Sequence, residues 1–180
     1  MAYPLIRRSP SGLRCGPCGN CCAITRSTIS IQKALPRPLG RWVAPANIHL
    51  TLKFLGDSDP ADLTRLGGLL EGIAARCRPA ELVVGGLGCF PNNRQPRVIW
   101  VGMQIPPQIK ELQQSIEAAG ERIGYAREER PFSPHLTLGR VQKNASREEV
   151  AQIAGALRAV TVGELGRFEA GGITLFRSDL

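Results

Sequence analysis

A chain of 180 residues is long enough for one large or two small domains and can bury a core without disulfide staples. With 43% hydrophobic and 21% charged residues, and no stretch near the ~18 uninterrupted apolar residues of a membrane span, the composition excludes a transmembrane protein. The net charge is +8, and arginine supplies 19 of the 23 basic residues. Its planar donor fork suits a phosphorylated or nucleic-acid partner, although a solvated basic surface explains the charge equally well.

Arg7, Arg8 and Arg14 come early, but no apolar segment follows them, so a secretory signal is not expected and a cytoplasmic location is. Residues 1–28 are rich in glycine, proline and arginine and carry Cys15, Cys18, Cys21 and Cys22. Such closely spaced cysteines can bind zinc or iron. However, Thr25 stands where a ferredoxin pattern needs its next cysteine, and no histidine is near, so free reduced thiols are the simpler expectation. A helical pattern begins at Ile29 to Leu35.

Asn47 to Gly56 alternates polar and apolar residues, which predicts a strand with Leu50, Leu52 and Phe54 on one face and His49, Thr51 and Lys53 on the other. Asp59 and Pro60 open a predicted helix reaching Cys77. Gly85 to Phe90 and Val98 to Gly102 read as strands around a turn-rich loop, Pro91 to Arg97. Pro107 to Ile123 is an amphipathic helix with Ile109, Leu112, Ile116 and Ala119 on its apolar face. Pro134 to Val141 alternates again, Ser146 with Glu149 offers a capping box for a helix to Val160, and Gly171 to Phe176 is a final strand.

The chain has two histidines, His49 and His135, and each opens the tetrapeptide His-Leu-Thr-Leu. A shift of 86 residues superposes them, and the same shift lays Gly85 to Phe90 on Gly171 to Phe176. Each half therefore reads strand, helix, strand. The expected architecture is α+β and bilobal: two mixed or antiparallel sheets related by an approximate two-fold, helices outside, and the histidine strands facing each other across a central cleft.

One histidine followed by threonine on a strand is usually packing or an incidental surface feature; two copies that use every histidine in the chain point to chemistry. Opening a phosphodiester without a metal requires a base on one side of phosphorus and an acid on the other. Two imidazoles, each able to exist in either protonation state near neutrality, provide both. Thr51 and Thr137, two positions along on the same faces, can donate to non-bridging oxygens, and Lys53 and Arg140 can add positive charge. Zinc fits less well, since no carboxylate or cysteine stands at ligand spacing from either histidine.

These motifs resemble the two-histidine (2H) phosphoesterases, in particular the branch named 2′-5′ RNA ligase or RNA 2′,3′-cyclic phosphodiesterase. The resemblance rests on Arg41 to Gly56, on Arg130 to Arg140 and on Ile173 to Ser178, and covers roughly residues 29–180. It implies metal-independent, cofactor-free opening of a terminal 2′,3′-cyclic phosphate on RNA to a 2′-phosphate, and in some members the reverse joining of tRNA halves. By motif position the catalytic residues are His49, Thr51, His135 and Thr137, with His135 activating water and His49 protonating the leaving 3′ oxygen. Arg130 and Arg140, with Lys53, are the candidate phosphate contacts. Phe132 and Phe54 either stack a base or join the core, and the leucine face shared by Phe54 favours the core.

The family begins with an apolar strand and a helix, which residues 1–28 do not resemble. A shifted reading frame or misassigned start, or a disordered segment, is expected there. The phosphoesterase-like domain is then expected over 29–180, without the family's first and last strands. A monomer with no membrane contact is expected. Two other readings compete: a 2H enzyme acting on small cyclic nucleotide derivatives or 2′-5′ oligonucleotides, and a catalytically impaired RNA-end binder.

Overall fold

Local signals start the helices where the sequence places them. In the computed structural model, which describes residues 41–44 and 47–176, helix α1 spans Pro60–Ala74, and its first free N–H groups meet the Asp59 carboxylate, which accepts from Ala61 N at 2.7 Å. Helix α2 spans Pro107–Glu121 and buries Ile109, Leu112, Ile116 and Ala119. Helix α3 spans Arg147–Ala159 behind a complete capping box: Glu149 N donates to Ser146 Oγ at 3.1 Å, and Ser146 N donates back to Glu149 Oε2 at 2.7 Å. No helix among the described residues is long and apolar enough to cross a membrane.

The strands are β1 (Arg41–Trp42), β2 (Ala80–Phe90), β3 (Val98–Gln104), β4 (His135–Arg140) and β5 (Glu164–Ala170). They pair antiparallel in the order β1-β4-β3-β2-β5. The α+β class is as expected. The described strands, however, join into one sheet rather than two, because β3 pairs on one edge with β4 and on the other with β2.

The internal duplication is nevertheless built into that sheet. Leu50 forms a single bridge with Leu136, and Leu82 pairs with Phe168. Both couples lie 86 positions apart, the same shift that superposes the two halves of the sequence. Equivalent positions thus meet their own counterparts, which is what an approximate two-fold passing through both contacts requires.

Two predicted strands change. Among the described residues, the stretch Asn47 to Gly56 pairs with the sheet at a single bridge, Leu50. The same edge of β4 is already occupied higher up, where Arg41 and Trp42 lie across from Arg140 and Gly139 and Val43 N donates to Leu138 O. The late strand is Glu164–Ala170, not 171–176. Its ladder with β2 ends at the pair of Ala80 with Ala170, and Pro79, the residue before β2, has no N–H with which to continue it. The cysteine-rich segment, with Cys15, Cys18, Cys21 and Cys22, lies outside the described residues.

One face of the sheet meets the helices. Leu82, Val84, Ile99, Val101, Leu136 and Leu138 are buried there with Leu66 of α1 and Ile153 of α3. Each such side chain stabilises the fold by about 1.5–3 kcal/mol relative to exposure. The other face carries the site.

Candidate active site

Cross-strand register assigns the side chains of that second face. Directly opposed residues in a ladder point the same way, so the pairs Gly102 with His135, Trp100 with Thr137 and Val98 with Arg140 share one face. Simple alternation along β4 would put Arg140 with the leucines. The ladder instead steps from Ile99 opposite Gly139 to Trp100 opposite Thr137, leaving Leu138 as an extra residue. This bulge turns Arg140 onto the face of His135.

The Leu50 bridge brings in the first motif. Leu50 and Leu136 point together toward the core, so His49 and Thr51, its neighbours in the chain, project to the opposite face with His135 and Thr137. In the register of that bridge His49 lies across from Thr137, and Thr51 across from His135. Diagonal neighbours in such a pair are about 7–8 Å apart. By that register both imidazoles and both hydroxyls fall on one face, on either side of the Leu50–Leu136 bridge.

Each ring is oriented in the same way. His49 Nδ1 lies 2.8 Å from the Asn47 carbonyl oxygen, and His135 Nδ1 lies 2.7 Å from that of Ser133, two residues earlier in both cases. A carbonyl can only accept, so Nδ1 carries the proton, and the exchangeable lone pair of the neutral ring sits on Nε2.

The aromatic surroundings differ. His49 is exposed and stacks on Phe176, with centroids 5.1 Å apart and planes 20° apart. His135 is half-buried, edge-on to Phe90 at 5.0 Å and beside Trp100 at 5.9 Å. The Trp100 indole lies over Gly88, where a Cβ would clash with the ring. Only glycine leaves room for Trp100 beside His135. The sequence showed Trp100 as one residue of an apolar strand; its place next to Thr137 depends on a pairing the sequence does not display.

The remaining predicted contacts divide. Lys53 is not available to a phosphate, because its side chain is 4% exposed and its ammonium is paired with Glu117 Oε2 at 2.5 Å and with Ala126 O at 2.8 Å. Phe54 does not join the core and is 77% exposed. Phe132 is half-buried. Arg130 is exposed and donates through Nε and Nη2 to the Glu128 carboxylate at 2.9 and 3.0 Å. The guanidinium and the Arg130 N–H hold the Glu128 carboxyl down at about 2, against an ordinary 4.5. A lowered carboxylate contributes stability that is present in full above 4.5 and fades as pH falls toward 2, so Glu128 is ionised across the neutral range, in an exposed and therefore weak pair with Arg130. Among the described residues, no group of three or more histidine, cysteine, aspartate or glutamate side chains gathers to hold a metal ion.

The LigT like Phosphoesterase family matches residues 23–100 and again residues 102–180, one stretch in each half. An RNA 2′,3′-cyclic phosphodiesterase of Methanothermobacter thermautotrophicus is 36% identical over 140 residues, which span 78% of this chain and 74% of that protein. Among solved structures, TT0787 of Thermus thermophilus superposes with a TM-score of 0.65 at 25% identity, over 81% of this chain and 77% of the other. E. coli LigT complexed with 3′-AMP gives 0.62 at 26% identity, over 84% and 86%. With the duplication, the paired His-Leu-Thr-Leu motifs and both halves of the family matched, the chain belongs to the LigT-like phosphoesterases.

Proposed function

We propose that this protein opens the terminal 2′,3′-cyclic phosphate of RNA to a 2′-phosphate, by acid–base catalysis between two imidazoles. One observation carries the reading: the Leu50–Leu136 bridge sets both motifs antiparallel about a two-fold, with each Nδ1 engaged by a carbonyl and each Nε2 left for chemistry. The name of the M. thermautotrophicus relative and the 3′-AMP in E. coli LigT support an RNA end as the substrate.

In this mechanism neutral His135 accepts a proton from water at Nε2 as the water oxygen bonds to phosphorus. The bond from phosphorus to O3′ breaks, and His49 delivers its Nε2 proton to that oxygen. The Thr51 and Thr137 hydroxyls donate to the non-bridging oxygens, where negative charge grows. If the 5′-hydroxyl of a second RNA end takes the place of water at the cyclic phosphate, a 2′-5′ bond forms as the bond to O3′ breaks, with the same groups in the same roles; cleavage of that 2′-5′ bond back to the cyclic phosphate exchanges them. Both acid and base are side chains, so turnover persists in chelator.

The test is incubation of a nucleoside 2′,3′-cyclic phosphate and of a short RNA ending in one, with chelator, and identification of the phosphate position in the product. A 2′-phosphate supports the reading. A 3′-phosphate, loss of activity on chelation, or salt-sensitive RNA binding without turnover overturns it. Activity on the small cyclic nucleotide but not on the RNA redirects it to small cyclic substrates.

Two further outcomes are expected. Thr137→Val keeps the shape but removes the donor, and lowers kcat by about 10²-fold, the usual effect of losing one such hydrogen bond, in single-turnover assays. Arg130 must leave Glu128 to reach a phosphate. Glu128→Gln removes that competition and lowers KM for RNA roughly twofold to fivefold, with kcat unchanged. An unchanged KM would show that Arg130 does not touch the substrate.

A further inference from the structure

Among the described residues, the segment that carries His49 and Thr51 pairs with the sheet at one bridge, Leu50, and otherwise packs through Ile48, Leu52 and Leu55, which fix no hydrogen-bond direction. Lys53, two residues beyond Thr51, enters a buried socket on helix α2. Its ammonium meets Glu117 Oε2 at 2.5 Å, and the two side chains are 4% and 5% exposed. The same carboxylate receives Gln113 Nε2 at 3.2 Å and Glu128 N at 3.3 Å, while the Ala126 carbonyl takes a second Lys53 hydrogen at 2.8 Å. One turn along, Gly120 leaves the gap for the lysine stem, because a Cβ there would lie 2.8 Å from Lys53 Cε.

We propose that Glu117 is a positioning residue for catalysis, holding the two histidine segments in one frame through its hydrogen bonds to Lys53 on one side and Glu128 on the other. Glu128 leads through Arg130 to Ser133, whose carbonyl orients His135. One helix side chain is thereby tied to the exit of the first motif and the approach to the second. Stability alone does not require it: a buried ion pair is often no better than apolar side chains of similar volume. What an apolar pair cannot reproduce is the fixed direction of hydrogen bonds from one carboxylate to both segments.

The proposal rests on the cyclic phosphodiesterase reading above, and its test separates the two. The double variant Lys53→Met with Glu117→Leu replaces the pair by apolar side chains. Its melting temperature should stay near that of the unaltered protein. Its kcat on a nucleoside 2′,3′-cyclic phosphate should fall on the order of 10²-fold, as misplaced catalytic groups do, while KM changes less than threefold. Amide hydrogen exchange at residues 48–52 should accelerate while the β2–β3 ladder keeps its protection. If the double variant does not fold, Glu117→Gln, which keeps the shape and one acceptor, is read in the same way. Unaltered kcat and unaltered exchange at 48–52 overturn the positioning role. If the unaltered protein itself opens no cyclic phosphate, the reaction reading falls and the exchange measurement alone decides the role of Glu117.

Discussion

Replacing His135 or His49 with alanine is expected to lower kcat for cyclic phosphate opening by a factor on the order of 10²–10⁴, the contribution of one positioned acid or base. The double replacement should be little slower than the worse single one, because an acid and a base that act in one step do not contribute additively. The dependence of kcat/KM on pH should be bell-shaped in the unaltered protein, and each single variant should lose one limb, since one ring must be neutral while the other is charged. The two variants should differ in stability. His135 packs against Phe90 and Trp100, so its loss loosens an aromatic cluster, whereas exposed His49 touches only Phe176 among the aromatic rings described. Equal melting temperatures with a large kcat loss in His49→Ala would separate chemistry from folding. A His49→Ala protein that keeps full activity would remove this ring from the mechanism.

The largest loss of stability is expected from Lys53→Met alone. It leaves the Glu117 carboxylate, 5% exposed, without its cation. Removing one partner of a buried pair costs about 3–5 kcal/mol, which in a domain of this size lowers the melting temperature on the order of 10 °C. Adding Glu117→Leu to the same protein should recover most of that loss, because the uncompensated charge is then gone. Thermal unfolding followed by circular dichroism measures both steps. Single and double variants that melt alike would mean that the Lys53–Glu117 contact does not govern stability.

The helices and the interior strands were legible because their causes are local. Asp59 before Pro60 and Ser146 with Glu149 cap helices that begin at the next residue, and the apolar spacing of Ile109, Leu112 and Ile116 marks the buried face of α2. Alternation located β3 and most of β4. It failed where pairing, not residue type, decides. The stretch around His49 alternates as a strand does, yet most of the β4 edge beside it is taken by Arg41 to Val43. Gly171 to Phe176 matches the earlier strand by sequence, yet the partner ladder stops at Pro79. Phe54 shares the leucine side of an alternating pattern and is exposed, because the ladder that would extend that face past Leu50 does not form.

The sequence by itself determined the duplication, the helix starts and the twin His-Leu-Thr-Leu motifs on which the proposed chemistry rests, since these depend on which residues stand at which spacing along the chain. Only the tertiary structure decided that Leu50 meets its own counterpart Leu136, that a bulge at Leu138 turns Arg140 to the imidazole face, and that Lys53 binds Glu117 rather than substrate. The physical reason is that alternation tells which side chains share a face, whereas the partner across the ladder is set by contacts between segments far apart in the chain.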